Sequence, residues 1–221
     1  MPAITPNKKR FDAAFQPVLK QLQRSIPNYP NRALACPFFV WKTITIGGKT
    51  PHELHGELER NGCLGSLEKY DVKALMLGEP ETWPHIQNPD WKRTEPYFTT
   101  LHQPQKIPLA RVSVYDLGFT EMPTWEEVTD DSRLDALGLA LCPAETGVNL
   151  RLQYVGDVQP QGLGELCIAM EPITGHDEDW YASHKIFVLD TYTDSRCIKA
   201  ISAFTDTRWE FFTEFVFALR A

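Results

Sequence analysis

Glu145 and Glu171 each stand at a corner of an apolar run, the first after Cys142-Pro143-Ala144 and the second just before Pro172. Glycoside cleavage needs two carboxyl groups, one kept protonated by apolar surroundings and one ionised, roughly 5 to 10 Å apart according to mechanism. Arg151 would orient substrate or stabilise charge, and Tyr154 and the tryptophans would stack on sugar. A glycosidase-like hydrolase is therefore one expectation. The structural alternative makes Glu145 a turn cap or a partner of Arg151 and leaves Glu171 solvated, because structural ion pairs imitate catalytic ones.

Other groups carry weaker chemistry. Cys142 would become a nucleophile only beside a base, with His102, His176 or His184 available, and cysteines in apolar runs are more often buried and inert. His52-Glu53-Leu54-His55 lacks the i, i+4 histidine spacing of a zinc-protease helix, although His52, His55 and Glu59 can share a helix face. The loop His176-Asp177-Glu178-Asp179, with His184 beyond it, lacks the glycine and regular oxygen spacing of a calcium loop and reads as a solvated acidic loop. Gly47-Gly48-Lys49-Thr50 looks like the end of a phosphate-binding loop without its first glycine. No metal and no cofactor is expected.

A binding surface is the competing functional reading. Residues 78–105 contain five prolines and the aromatics Trp83, Trp91, Tyr97 and Phe98, with little periodicity. Long irregular insertions in compact domains are usually functional or mobile. Flat rings supply contact area at little entropic cost, and Gln153 and Tyr154 extend the candidate surface. The alternative is a lid folded over the sheet with its rings buried.

The elements that must position these groups follow from periodicity and caps. Phe11, Ala14, Phe15, Val18, Leu19 and Leu22 fall at helical spacing within residues 8–25, and the turn-rich stretch 27–31 follows. A strand is predicted over 38–46, ended by Gly47-Gly48. Thr50, Pro51 and Glu53 form a capping box with proline at the first helical position, and Asn61-Gly62 closes that helix. A short helix is expected over 67–77 and a strand over 109–115. Thr124 and Glu127 form a second capping box, opening a helical run to Gly138.

The chain is organised around residues 139–154, LALCPAETGVNLRLQY. Leu150, Leu152 and Tyr154 alternate with Arg151 and Gln153, the pattern of a half-buried strand, after a turn at Glu145-Thr146-Gly147. A second strand over 165–171 would lie beside it. If the two pair antiparallel, Glu145 or Arg151 approaches Glu165 or Glu171. Strand-like runs at 185–192, 197–204 and 210–219 make the C-terminal half β-rich. The expected fold is α+β, a mainly antiparallel sheet with a few packed helices. Residues 1–35 form the N-terminal helix and connector, and 36–221 a single module with the aromatic insertion near 79–105.

Composition bounds the function. The chain has 221 residues, 43% hydrophobic and 23% charged, ordinary for a globular domain. A net charge of −7 argues against a nucleic-acid surface, which needs clustered Lys and Arg, and suits masking of a basic partner. The five cysteines are scattered without a Cys-x-x-Cys pair, as expected of reduced thiols in a cytoplasmic protein. Neither a signal peptide nor an apolar run of about 18 residues is found, so no membrane association is expected.

The pattern Leu139-x-Leu141-Cys142-Pro143-Ala144-Glu145-x-Gly147, Leu150-Arg151-Leu152-Gln153-Tyr154, Gly164-Glu165 and Ile168-Ala169-Met170-Glu171-Pro172-Ile173 resembles a family of uncharacterised bacterial proteins. Trp41-Lys42-Thr43-Ile44 with Ile46-Gly47, and Leu117-Gly118-Phe119, fit the same pattern. Val148-Asn149 stands where Pro-Gln is expected, and the aromatic insertion is more elaborate. The resemblance covers about Trp41 to Ile173, implies one continuous α+β module and implies no activity. The functional expectation is thus a non-enzymatic binding or protein-interaction module with a protein partner, with the hydrolase as the alternative.

Overall fold

The structure, a computed structural model, describes residues 38–65, 68–78, 98–153, 165–173, 184–190 and 197–220. The helix expected over 8–25, most of the aromatic insertion, Tyr154 and the loop 176–179 lie outside these residues.

The capping signals are realised as read. Thr50 accepts from the Glu53 amide and Glu53 reaches back to the Thr50 amide, opening α1 (Pro51–Arg60), which ends at Asn61. The apolar side of α1 buries Leu54 and Leu58. After α2 (Glu68–Leu77), Thr124 and Glu127 repeat the box at α3 (Trp125–Val128). Asp130 caps α4 (Asp131–Leu137), and Gly138 closes it in the left-handed conformation.

Among the described residues seven strands form one sheet: β1 (Lys42–Ile46), β2 (Gln105–Ser113), β3 (Leu139–Ala140), β4 (Glu165–Ile168), β5 (Lys185–Asp190), β6 (Ile198–Ser202) and β7 (Glu214–Leu219). Their order is β1-β2-β7-β4-β5-β6, with β3 also on β7. All pairs are antiparallel except β4 with β7. The fold is α+β with a β-rich C-terminal half. No helix among the described residues is long and apolar enough to cross a membrane.

Alternation puts Phe215 and Val216 of β7 on opposite faces. On the Phe215 face, Trp125 and Trp209 close over the ring at centroid distances of 5.8 and 5.0 Å. On the other face, Ile168 pairs with Val216 and meets α5 (Thr146–Gln153) at Gly147. A Cβ on Gly147 would stand 3.0 Å from both Ile168 Cγ1 and Phe187 Cβ, so the missing side chain sets how closely this helix sits on the sheet.

That helix corrects the strand expected over 150–154. Glu145-Thr146-Gly147 is not a hairpin corner but the start of α5: the Glu145 carbonyl accepts the Asn149 amide at 3.0 Å. Thr146 to Arg151 are all buried, among β1, α1, β5 and β6. A helix covered all round has no polar stripe to reveal its 3.6-residue period, and Leu-Arg-Leu-Gln then imitates a strand. The expected antiparallel pairing of this stretch with 165–171 is also absent. The two segments meet in a parallel bridge, Cys142 with Met170, while β4 pairs with β5 and β7.

Candidate functional site

Glu145 is fully buried where three segments converge. Its Oε2 accepts the Gly47 amide at 2.9 Å and the Asn149 side-chain amide at 3.0 Å, and its Oε1 accepts the Leu101 amide at 2.7 Å. The Gly47-Gly48 turn at the end of β1 lies against the segment leading into β2: Gly48 donates to the Leu101 carbonyl at 2.8 Å. Gly47 has φ +85°, and a Cβ there would stand 2.3 Å from the Gln103 carbonyl oxygen, so only glycine fits this contact. One carboxylate thus joins the end of β1, the approach to β2 and the first turn of α5. Both oxygens are committed to fixed N–H donors and neither meets solvent, an arrangement suited to holding segments together rather than to exchanging protons with a substrate.

The other candidate catalytic residues are employed elsewhere. Buried Arg151 donates from Nη2 to the Asp190 carbonyl at 3.1 Å, tying α5 to the end of β5. Glu171 is exposed beyond β4. Glu165 pairs with Lys199, which also reaches Asp190 at 3.2 Å. The Cys142 thiol donates to the Val216 carbonyl at 3.4 Å, and burial pushes its pKa up to about 12, which keeps it a protonated thiol at neutral pH.

Of the candidate binding residues, Trp83, Trp91, Tyr97 and Tyr154 lie outside the described residues. Phe98 is buried edge-on against Phe187, centroids 5.9 Å apart, which for this ring is the folded-down arrangement. Gln153 uses its whole amide on the edge strand: Oε1 accepts the Thr45 N–H at 3.1 Å and Nε2 donates to the Thr45 carbonyl at 2.7 Å. The side chain thereby takes the place of a neighbouring strand on β1.

The structure brings forward an apolar surface that the sequence reading missed. At the end of the sheet where β2 leaves and β7 begins, Tyr115 donates its amide to the Phe211 carbonyl and Val114 to that of Thr213, both at 3.0 Å. Phe212, on the turn closed by the Thr213 amide and the Glu210 carbonyl, is 77% exposed, and Tyr115 is 46% exposed. The sequence pattern predicts one strand over 210–219, which would give Phe212 an alternating inward or outward place. The strand begins only at Glu214, leaving Phe212 outside the ladder. The adjacent Phe211-Phe212 pair next to Glu210 and Thr213 was the available signal.

The surroundings of this surface are tied together by hydrogen bonds and ring contacts. Trp209 donates its amide to the Pro123 carbonyl at 2.9 Å, and its ring lies 5.7 Å from Trp125. Arg208 donates to the Met122 carbonyl at 2.7 Å, and Met122 is itself exposed. Arg133 stacks on Phe119 at 4.0 Å and donates to the Leu117 carbonyl. On the neighbouring edge, Trp41 lies 5.8 Å from the Arg111 guanidinium, which grips Glu214 through two hydrogen bonds. Aromatic side chains exposed on a firmly tied scaffold can bind a protein surface without ordering themselves first. No family model, no curated protein and no solved structure matches this chain.

Proposed function

We propose that this chain is a non-enzymatic protein-interaction module of the bacterial cytoplasm. The observation that carries the reading is the exposure of both Phe212 and Tyr115 at the same tied end of β2 and β7. Large apolar side chains exposed together mark interaction sites more often than scattered ones do. The commitment of Glu145 to the backbone amides of Gly47 and Leu101 adds support, because it gives that carboxylate a structural task. The cytoplasmic setting is supported by Cys142, Cys167 and Cys197, buried cysteines outside any disulfide. The bacterial source rests on the resemblance of residues 139–173.

Photo-crosslinking tests the reading. A benzophenone amino acid at Phe212 or Tyr115 is expected to give one discrete protein adduct in bacterial cytoplasm, whereas the same group at exposed Lys106 gives none. Adducts of equal yield at all three positions, or at none, would remove the support for a docking surface at this end.

A further inference from the structure

The apolar end of β2 and β7 has a strong charge bias. Residues 111–133 and 204–214 hold nine Asp and Glu against Arg111, Arg133 and Arg208, a net of −6 out of the −7 of the whole chain. The rest of the molecule carries −1 on balance. Two of the three arginines have partners within this end, Arg111 gripping Glu214 and Arg133 covering Phe119, while Arg208 is exposed and donates to the Met122 carbonyl. Glu121, Glu126, Asp131, Asp206 and Glu210 are exposed, and none makes a side-chain hydrogen bond or ion pair with another described residue.

We propose that this end receives a basic amphipathic segment of another protein, its apolar side chains seated on Phe212 and Tyr115 and its Lys or Arg side chains among the surrounding carboxylates. The inference rests on the reading of the chain as an interaction module and names the chemistry of the partner. Charge complementarity selects it: an anionic surface steers a cationic partner toward itself and repels nucleic acid, anionic lipid and a second copy of the same face. The exposed rings supply what charge alone lacks, a desolvated anchor that fixes where the partner sits.

The test uses the full chain and a labelled helical peptide of 18 residues built from Leu and Lys, with Leu at i, i+3, i+4 and i+7, beside a twin carrying Glu for Lys. Anisotropy at about 150 mM salt is expected to show the Lys peptide binding at least about tenfold tighter than its twin. The Glu121→Lys/Glu210→Lys and Tyr115→Ser/Phe212→Ser variants, each with unchanged circular dichroism, are each expected to weaken it about tenfold. If charge reversal changes nothing while Tyr115→Ser/Phe212→Ser abolishes binding, the basic partner is overturned and the interaction surface stands. If Tyr115→Ser/Phe212→Ser leaves binding unchanged, both readings fall. A dimer in light scattering that Phe212→Ser dissolves would make a second copy the occupant and overturn the proposal.

Discussion

Glu145 shows what a buried carboxylate contributes when its partners are backbone amides from distant parts of the chain. Glu145→Gln places an amide N–H where the Gly47 or Leu101 amide already points. It is expected to cost about 2 to 3 kcal/mol in urea unfolding, the scale of a buried polar group left without a partner. Glu171→Gln, on an exposed side chain, is expected to stay within about 0.5 kcal/mol. Equal, small effects at the two positions would contradict the structural role of Glu145. Cys142 gives a prediction in pH. Burial raises its thiol from 9.0 to about 12, so the folded chain keeps the proton that the unfolded chain releases. The contribution is fully present below pH 9.0 and is lost as pH rises toward about 12. Cys142→Ala should flatten this part of the alkaline stability profile, and the thiol of the folded protein should resist alkylation at pH 8.

The helix α5 works as a key in a slot, touching β1 through Gln153 and β5 through Arg151. Two residues apart on a helix means directions about 200° apart, so these side chains reach opposite neighbours. Gln153→Ala is expected to speed hydrogen exchange of the Thr45 amide, whose acceptor it removes, while the Cys142 amide, held by the Ala169 carbonyl, keeps its protection. Gly147→Ala gains helix propensity but drives a methyl into Ile168 and Phe187, and a net loss of about 1 to 3 kcal/mol is expected in thermal or urea unfolding. The boxes at Thr50 and Thr124 are pH-sensitive in the opposite sense to Cys142. The Thr50 and Thr124 amides hold the Glu53 and Glu127 carboxyls below the usual 4.5, so their support is present above that pH and lost as the pH falls through the lowered values. Carbon-13 titration should place both midpoints below 4.5. These boxes were legible in sequence because cap and partner are three residues apart. The helical state of α5 was not, because burial on every side removes the polar stripe that local reasoning needs. Glu145 was legible as a singular residue, but its partners Gly47 and Leu101 are brought to it only by the fold.

At the scale of the molecule, strand-like runs announced a β-rich C-terminal half, but no run carries its place in the sheet. The place of β7 between β2 and β4 depends on contacts with residues about a hundred and about fifty positions earlier, beyond any local pattern. The charge bias was present in the sequence as a net −7, yet its concentration at the Phe212 end needed β2 and β7 to bring 111–133 and 204–214 together. The position of β7 also matters while the chain is being synthesised. Before residues 214–219 emerge from the ribosome, β1 with β2 and β4 with β5 and β6 can form only two separate half-sheets, each with an open edge awaiting the same strand. A nascent chain halted near residue 210 should therefore be protease-sensitive and prone to stick to its neighbours, and release of the last strand should end both at once.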